Sequence, residues 1–262
     1  MIRIGTSGFH YDDWIGPFYP EGCSTEQFLS IYATHFNALE LNFSFYRMPT
    51  SGQMESFIRR TDGKVVFAVK AHRSFTHDRT AGHNDLLAFQ EALRPLREAD
   101  LLCATLLQFP GSFRQTEENR RYLKSIGEQL HQPVFEFRNV EWSEPAILKW
   151  LFTLRFGYCC VDEPSLPGLM PPLAVATSQV AYVRFHGRNT ARWYAHNQPH
   201  ERYDYRYSTA EISEWVGKII NLDRQAEHTL VFFNNHFAAK AVDGAKNLAR
   251  LLQAASHGEM SR

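Results

Sequence analysis

Short apolar runs rich in β-branched and aromatic residues recur along the chain at 2–5, 38–41, 65–69, 101–108, 134–137, 158–161, 180–185 and 230–233. Runs of this length, bounded by polar and turn residues, read as buried strands. Between most of them lie stretches of helical period, at 25–36, 86–97, 116–131, 145–156 and 208–222, with a last one at 241–254. Strands that alternate with helices predict a parallel sheet, and eight such units predict closure as a single (β/α)8 TIM-type barrel spanning 1–262. Helix starts carry their own signals: Ser24-Thr25-Glu26, Ser143-Glu144-Pro145, and a capping box from Ser208 to Glu211. The stretch 162–179 is rich in Pro and Leu without helical period, which predicts an irregular connection. No repeat, low-complexity tract or linker marks off a second domain.

In a barrel of this kind the loops after the strands surround the active end, while the opposite end serves stability. Polar residues collect at the predicted strand ends: Glu40 and Asn42, Lys70 and His72, Gln108, Glu136 and Arg138, Asp162, then Arg184, His186 and Arg188, and finally Asn234 and Asn235. Residues two apart on a strand share a face, so Glu40 with Asn42, Glu136 with Arg138, and Arg184 with His186 are expected to project together into one mouth. Burying a charge without a partner costs several kcal/mol, so such a gathering implies mutual pairing or a ligand. The bland alternative is a salt-bridge plug, with Lys70, Arg138 and Arg184 neutralising Glu40, Glu136 and Asp162.

Glu40 and Glu136 are the expected acid and base, and Lys70 and His186 the groups that stabilise developing charge. For Lys70 two roles stand open, a Schiff-base nucleophile or a fixed positive charge, and the fixed charge is favoured because carboxylates surround it. Arg138, Arg184 and Arg188 suit a planar anion. Gly187 with Asn234 and Asn235 marks the corner after strands seven and eight where barrels often hold phosphate. Tyr11, Asn42, Tyr46, Gln108 and Asp162 complete the expected substrate contacts, with Trp142, Trp193, Tyr194, Tyr203, Tyr205 and Tyr207 as further ring surfaces. The run 192–207, dense in Arg, Tyr and His, reads as a lid over the mouth or a solvated crossover. A divalent-metal site built on Glu40, Glu136, Asp162 and His186 is the competing reading. The interleaved cations and the lack of HExxH-type spacing weigh against it, so no metal or cofactor is expected.

The opening Ile4-Gly5-Thr6-Ser7-Gly8-Phe9-His10-Tyr11, followed by Trp14, Gly16 and Phe18-Tyr19-Pro20, is answered by Leu39-Glu40-Leu41-Asn42-Phe43-Ser44-Phe45-Tyr46. Further on stand Val69-Lys70-Ala71, Thr76-His77, Phe135-Glu136-Phe137-Arg138 before Trp142, and Tyr182-Val183-Arg184-Phe185-His186-Gly187-Arg188. On these stretches the chain resembles the YecE-like family, also called domain of unknown function 72, from 4 to about 252. The resemblance implies one barrel of alternating strands and helices and a shared polar face at the matching positions. The chain departs at Phe9, where the family often has Trp, at Asn139, where His is common, and at Gly244-Ala245, where Asn-Ala is usual.

Charge narrows the partners. Lys and Arg number 28 against 28 Asp and Glu, so no global field draws the chain to nucleic acid or an anionic membrane, and only a local basic patch would serve a nucleic-acid end. No run approaches the roughly 20 apolar residues of a membrane span. The four cysteines lack CxxC spacing and read as reduced thiols, which with the absence of a signal-like start makes the cytoplasm the expected compartment. The expected function is an enzyme using acid–base carboxylates on a small anionic or sugar-like substrate at the C-terminal mouth, of hydrolase or lyase type. The alternatives are a non-catalytic binder of a metabolite or nucleic-acid end, and a divalent-metal hydrolase. Oligomeric state is not legible.

Overall fold

The computed structural model describes residues 1–195 and 198–260. Eight strands, β1 (Ile2–Ser7), β2 (Ala38–Leu41), β3 (Val66–Lys70), β4 (Leu102–Gln108), β5 (Pro133–Glu136), β6 (Gly157–Asp162), β7 (Val180–Phe185) and β8 (His228–Phe233), pair in sequence order, and β8 returns to β1 to close the barrel. Every pairing is parallel, and the seam between β1 and β8 runs from Ile2 opposite Thr229 to Thr6 opposite Phe233. Closure leaves no strand edge unpaired.

The outer layer holds α1 (Phe28–Ala33), α2 (Ser51–Arg60), α3 (Arg73–Thr76), α4 (His83–Glu98), α5 (Glu117–Gly127), α6 (Pro145–Leu154), α7 (Thr209–Gln225) and α8 (Lys240–Met260). Ser208 and Glu211 cap α7 reciprocally as the sequence predicts, and Pro145 opens α6 where its missing N–H costs nothing. The helix α2 has no counterpart in the sequence expectation. Its stretch SGQMESFIRR is polar and fully buries one residue, Met54, so apolar periodicity is faint, and its firm signal is the capping box of Thr50 with Gln53. Expected 25–36 shortens to α1, and expected 116–131 to α5, because the flanking turns satisfy their own carbonyls. Among the described residues no helix joins β6 to β7, in keeping with the predicted irregular connection. No helix among the described residues is long and apolar enough to cross a membrane.

Two apolar layers hold the barrel. Between strands and helices, Trp142 stacks on Phe137 at 4.4 Å and Phe113 stacks on Phe109 at 4.1 Å, while Phe185 stacks on Phe233 at 4.4 Å under Trp215 of α7. Strand alternation then sends Phe185 outward and its neighbours Arg184 and His186 inward. The apolar outer face is what fixes the orientation of the charged inner one.

Candidate functional site

The inner face at the strand C-termini is a continuous charged network. Arg184 of β7 lies at its centre, with Nη2 2.6 Å from Glu40 Oε1 at the end of β2 and Nη1 2.5 Å from Glu136 Oε2 at the end of β5. Tyr182, two residues earlier on β7, donates to Glu40 Oε2 at 2.6 Å. Glu136 Oε1 also meets Arg138 Nη2 at 2.7 Å and His186 Nε2 at 3.2 Å. Arg138 Nη1 reaches Glu163 Oε2 at 2.8 Å, and Glu163 Oε1 accepts from the Met170 amide. Glu40, Glu136 and His186 are completely buried.

The electrostatics follow from this packing. Burial alone pushes Glu136 up, but Arg138, Arg184 and His186 overcome it and hold the carboxylate well below its usual range. Arg184 is the mirror case: burial disfavours its charge, and Glu136 with Glu40 raises it well above the ordinary value. Glu163 goes the other way. Its burial outweighs its single guanidinium partner, and its carboxyl is raised. His186 is pushed down to about 3 by burial and by Arg138, so its imidazole is neutral at physiological pH. Lys70, at the end of β3, is lowered to about 8 by burial first and then by Arg184, with Glu136 and Glu40 offsetting part of the fall. Its ammonium donates to Gln108 Oε1 at 3.0 Å and lies 4.3 Å above the Phe45 ring.

Not every expected site residue joins this network. Asp162 shares the outward parity of Cys160, and it is gripped by Arg188 (2.9 and 2.7 Å), Tyr207 (2.6 Å) and Trp215 of α7 (2.7 Å). Glu163, one residue later, is the acid that points inward. Asp162 therefore braces α7 against the barrel, and the oxygen set of Glu40, Glu136, Asp162 and His186 considered for a metal does not converge. Arg188 is held by Asp162 and Glu214. The Gly187 amide, at φ +91°, donates to Tyr207, and Asn235 donates to the Tyr205 carbonyl. In the corner expected to take phosphate, Asn235 Oδ1 is buried with no hydrogen-bond partner among the described residues. Asn234 meets His186 Nδ1 at 3.1 Å.

Two cavities open on the mouth. One, of about 340 Å3, is lined by His77, Gln108, Pro110, Gly111, Arg138, Leu169, Trp193, Tyr194, Arg202 and Tyr203. Trp193 is buried beside two cations, with Arg138 at 6.0 Å and Arg202 at 5.4 Å from its ring. Within the run expected as a lid or crossover and the residues leading into it, Asn189 donates to the carbonyls of Glu201 and Asp204, and Arg202 Nε to the Trp193 carbonyl. His196 and Asn197 of that run lie outside the described residues. The second cavity, of about 400 Å3, is lined among others by Tyr11, Asn42, Tyr46 and Arg47. Tyr11 donates to the Ser7 carbonyl and stacks on His236 at 4.6 Å, Asn42 Oδ1 is buried without a hydrogen-bond partner among the described residues, and Tyr46 is largely exposed. A larger hollow of about 520 Å3 lies at the opposite end, between α1 and α8, far from this chemistry.

Sequence reasoning missed Tyr182, Glu163 and Arg202. Parity with Arg184 and His186 would have found Tyr182, and parity with Cys159 would have found Glu163. Arg202 carries no local signal, because the chain path after β7 decides what it faces.

Residues 3–261 match the family described as protein of unknown function DUF72. The UPF0759 protein YunF of Bacillus subtilis is 31% identical over 96% of this chain and 95% of its own length. The crystal structure of a DUF72 family protein from Thermotoga maritima shares 35% identity with a TM-score of 0.89, covering 97% of this chain and 99% of that one. One from Enterococcus faecalis shares 27% with a TM-score of 0.86, over 97% and 96%. The barrel, the full-length match and these relatives agree, and the chain belongs to the DUF72 family.

Proposed function

We propose that this protein is an enzyme that binds a small, anionic, sugar-like molecule at the C-terminal mouth and moves a proton on it. The observation that carries the reading is the wall of the 340 Å3 cavity: Arg138, Arg202 and His77 with the rings of Trp193, Tyr194 and Tyr203, and no carboxylate among its described residues. Guanidinium groups beside a ring match a planar anion joined to a polyol, since the ring offers a stacking face and the arginines paired donors.

The division of labour differs from the expected one. Glu136 is held ionised by three neighbours and is a poor proton donor near neutrality, and Glu40 is occupied by Arg184 and Tyr182. These carboxylates orient the arginines. Lys70, with its pKa brought to about 8, is the group in the mouth suited to exchange a proton at working pH. His186 stays neutral and serves as a hydrogen-bonding spacer between Glu136, Arg138 and Asn234.

A thermal-shift panel of inorganic phosphate, sugar phosphates, sugar acids and neutral sugars tests the reading, because a ligand of the native state raises its melting temperature. Anionic sugars are expected to stabilise and neutral ones not to. Equal response to both, or none, overturns it. The closed pairing of Glu40 and Glu136 favours one rival, a binder without turnover; it predicts the same shifts and a bound molecule recovered unchanged.

A further inference from the structure

The chain has seven lysines, and six of them are ordinary. Lys64, Lys124 and Lys240 are ion-paired, Lys218 donates to the Pro172 carbonyl, and Lys149 and Lys246 lie on outer helices. Lys70 stands apart on three counts. It closes β3 inside the mouth, yet among the described residues no carboxylate lies within ion-pair distance of Nζ. The acids that would neutralise it, Glu40 and Glu136, are both claimed by Arg184. Its polar partner is the neutral Gln108 amide, at 3.0 Å. Unlike Glu40, Glu136 and His186, it also keeps part of its surface open to the mouth. Gln108 lines the cavity described above, and Phe45, whose ring covers the amine, packs at 4.8 Å against His77 of the same cavity.

We propose that Lys70 is a covalent catalyst that condenses with the aldehyde or keto group of a small anionic substrate to form an imine. The neutral amine attacks the carbonyl carbon, a C–N bond forms, and the carbonyl π pair moves to oxygen. The proton released from nitrogen passes to that oxygen, giving a carbinolamine. The nitrogen lone pair then expels the hydroxyl, which leaves as water once protonated, and loss of the second N–H proton balances the step as amine plus carbonyl giving imine plus water. The arrangement supplies an amine with no carboxylate partner among the described residues, Gln108 Oε1 to orient it, and a neighbouring cavity, sharing Gln108, whose arginines hold the substrate anion away from the reacting nitrogen. The charged groups bearing on Lys70 are Arg184, Glu136, Glu40 and Arg138, with His77 beyond Phe45, and burial with the two arginines prevails over the two carboxylates. At pH 7.5 a lysine with a pKa of about 8 is roughly one-quarter free amine, against about one part in a thousand for an ordinary lysine.

This rests on the anion-binding reading of the cavity, and the experiment separates the two. The full-length protein is incubated with dihydroxyacetone phosphate, pyruvate, glyoxylate or neutral dihydroxyacetone plus cyanoborohydride, which adds hydride to the imine carbon and fixes the adduct. Peptide mass mapping locates it. Lys70 is expected to label at least about tenfold faster than any other lysine at pH 7.5, with the anionic carbonyls preferred over the neutral one. The labelling rate is expected to rise with a midpoint near 8. Lys70→Arg, which keeps the charge and removes the nucleophile, is expected to lose the adduct while retaining the native circular-dichroism spectrum. Should it fail to fold, the midpoint in the wild type decides alone. Labelling spread evenly over exposed lysines, or a midpoint near 10.5, overturns the proposal. Thermal stabilisation by the anionic probes without any Lys70 adduct overturns the covalent step and leaves the anion cavity standing. Failure of both overturns both.

Discussion

Replacing Lys70 by methionine isolates the energetic consequence of placing an unpaired ammonium in the barrel mouth. The folded-state pKa of about 8 against an ordinary 10.5 corresponds to about 3 kcal/mol by which the native environment disfavours the charge. Part of the side chain meets water, so about 2 kcal/mol is the working figure after screening. Methionine has a similar unbranched length and no charge. Its introduction forfeits the hydrogen bond to Gln108, about 1 kcal/mol, and the cation–ring contact, about 0.5 kcal/mol, but restores apolar contact with Phe45. The net expectation at pH 7 is a gain of about 1 kcal/mol, or about 2–4 °C in a chain of this size. The sign of the pH dependence is the sharper check. Below pH 8 the lysine is charged in both folded and unfolded states and its cost is fully present. As pH rises from 8 to 10.5 the folded state sheds its proton first, the cost is relieved, and the wild type gains relative to the variant. Urea unfolding of both proteins at pH 7 and at pH 10.5 measures this, since other groups that ionise at high pH cancel in the difference. A variant less stable than wild type by the same amount at both pH values would refute the reasoning, and would mean that Lys70 is a fixed, structural charge.

Glu136→Gln is expected to cost about 3–5 kcal/mol, because Arg138 and Arg184 lose the charge they share, whereas Glu163→Gln should cost about 1 kcal/mol or less, since burial already disfavours its ionised form; urea midpoints at pH 7 compare them, and equal losses would contradict the assignment. His186 is depressed to about 3 from 6.5, so its contribution is complete above pH 6.5 and is lost as pH falls through that window, by up to about 1.4 kcal/mol per pH unit. His186→Asn should flatten the stability profile between pH 6.5 and 4.5 relative to wild type, a comparison in which carboxylates common to both proteins cancel, and an unchanged slope would count against a buried neutral imidazole. Arg202→Ala should weaken binding of a phosphate-bearing sugar by about tenfold, the weight of one charge-assisted contact, while lowering the melting temperature of the free protein only slightly through loss of its bond to the Trp193 carbonyl; titration calorimetry reads the first and a thermal scan the second.

Much of this arrangement was legible in the sequence because period-two alternation ties the charged face to the apolar one. Val183 and Phe185 must face helices, which sends Arg184 and His186 inward, and the same rule links Glu136 with Arg138. The rule also shows where sequence reading failed. A strand end fixes that a polar residue is present but not which of two neighbours faces in, so the sequence points to Asp162 for the mouth where the structure has Glu163. Deciding between them needs the partner on the other side, Trp215 of α7 for Asp162 and Arg138 for Glu163. Helix α2 escaped notice because its stability comes from caps and from one buried methionine more than from an apolar stripe.

The choice between plug and site turns on which charges the barrel satisfies with its own atoms. Three buried acids, Glu40, Glu136 and Glu163, face two arginines, Arg138 and Arg184, and these five groups are joined by ion pairs of 2.5–2.8 Å. Left alone, that cluster carries a net charge of −1 when all three acids are ionised. A structural plug would close the deficit with a cation bound directly to the extra carboxylate. The chain instead places Lys70 where it meets an amide and a ring, outside ion-pair reach, and raises Glu163 so that its negative charge is only weakly held. The deficit and the surplus charge are thus kept on separate groups, Lys70 lowered to about 8 and Glu163 raised above its ordinary value. A barrel selected for stability alone gains nothing from this separation, since pairing the two would remove both penalties. Groups whose environments push their pKa values toward one another suit proton transfer at physiological pH, and here Arg138 bears on both of them beside a cavity lined by Arg138 and Arg202.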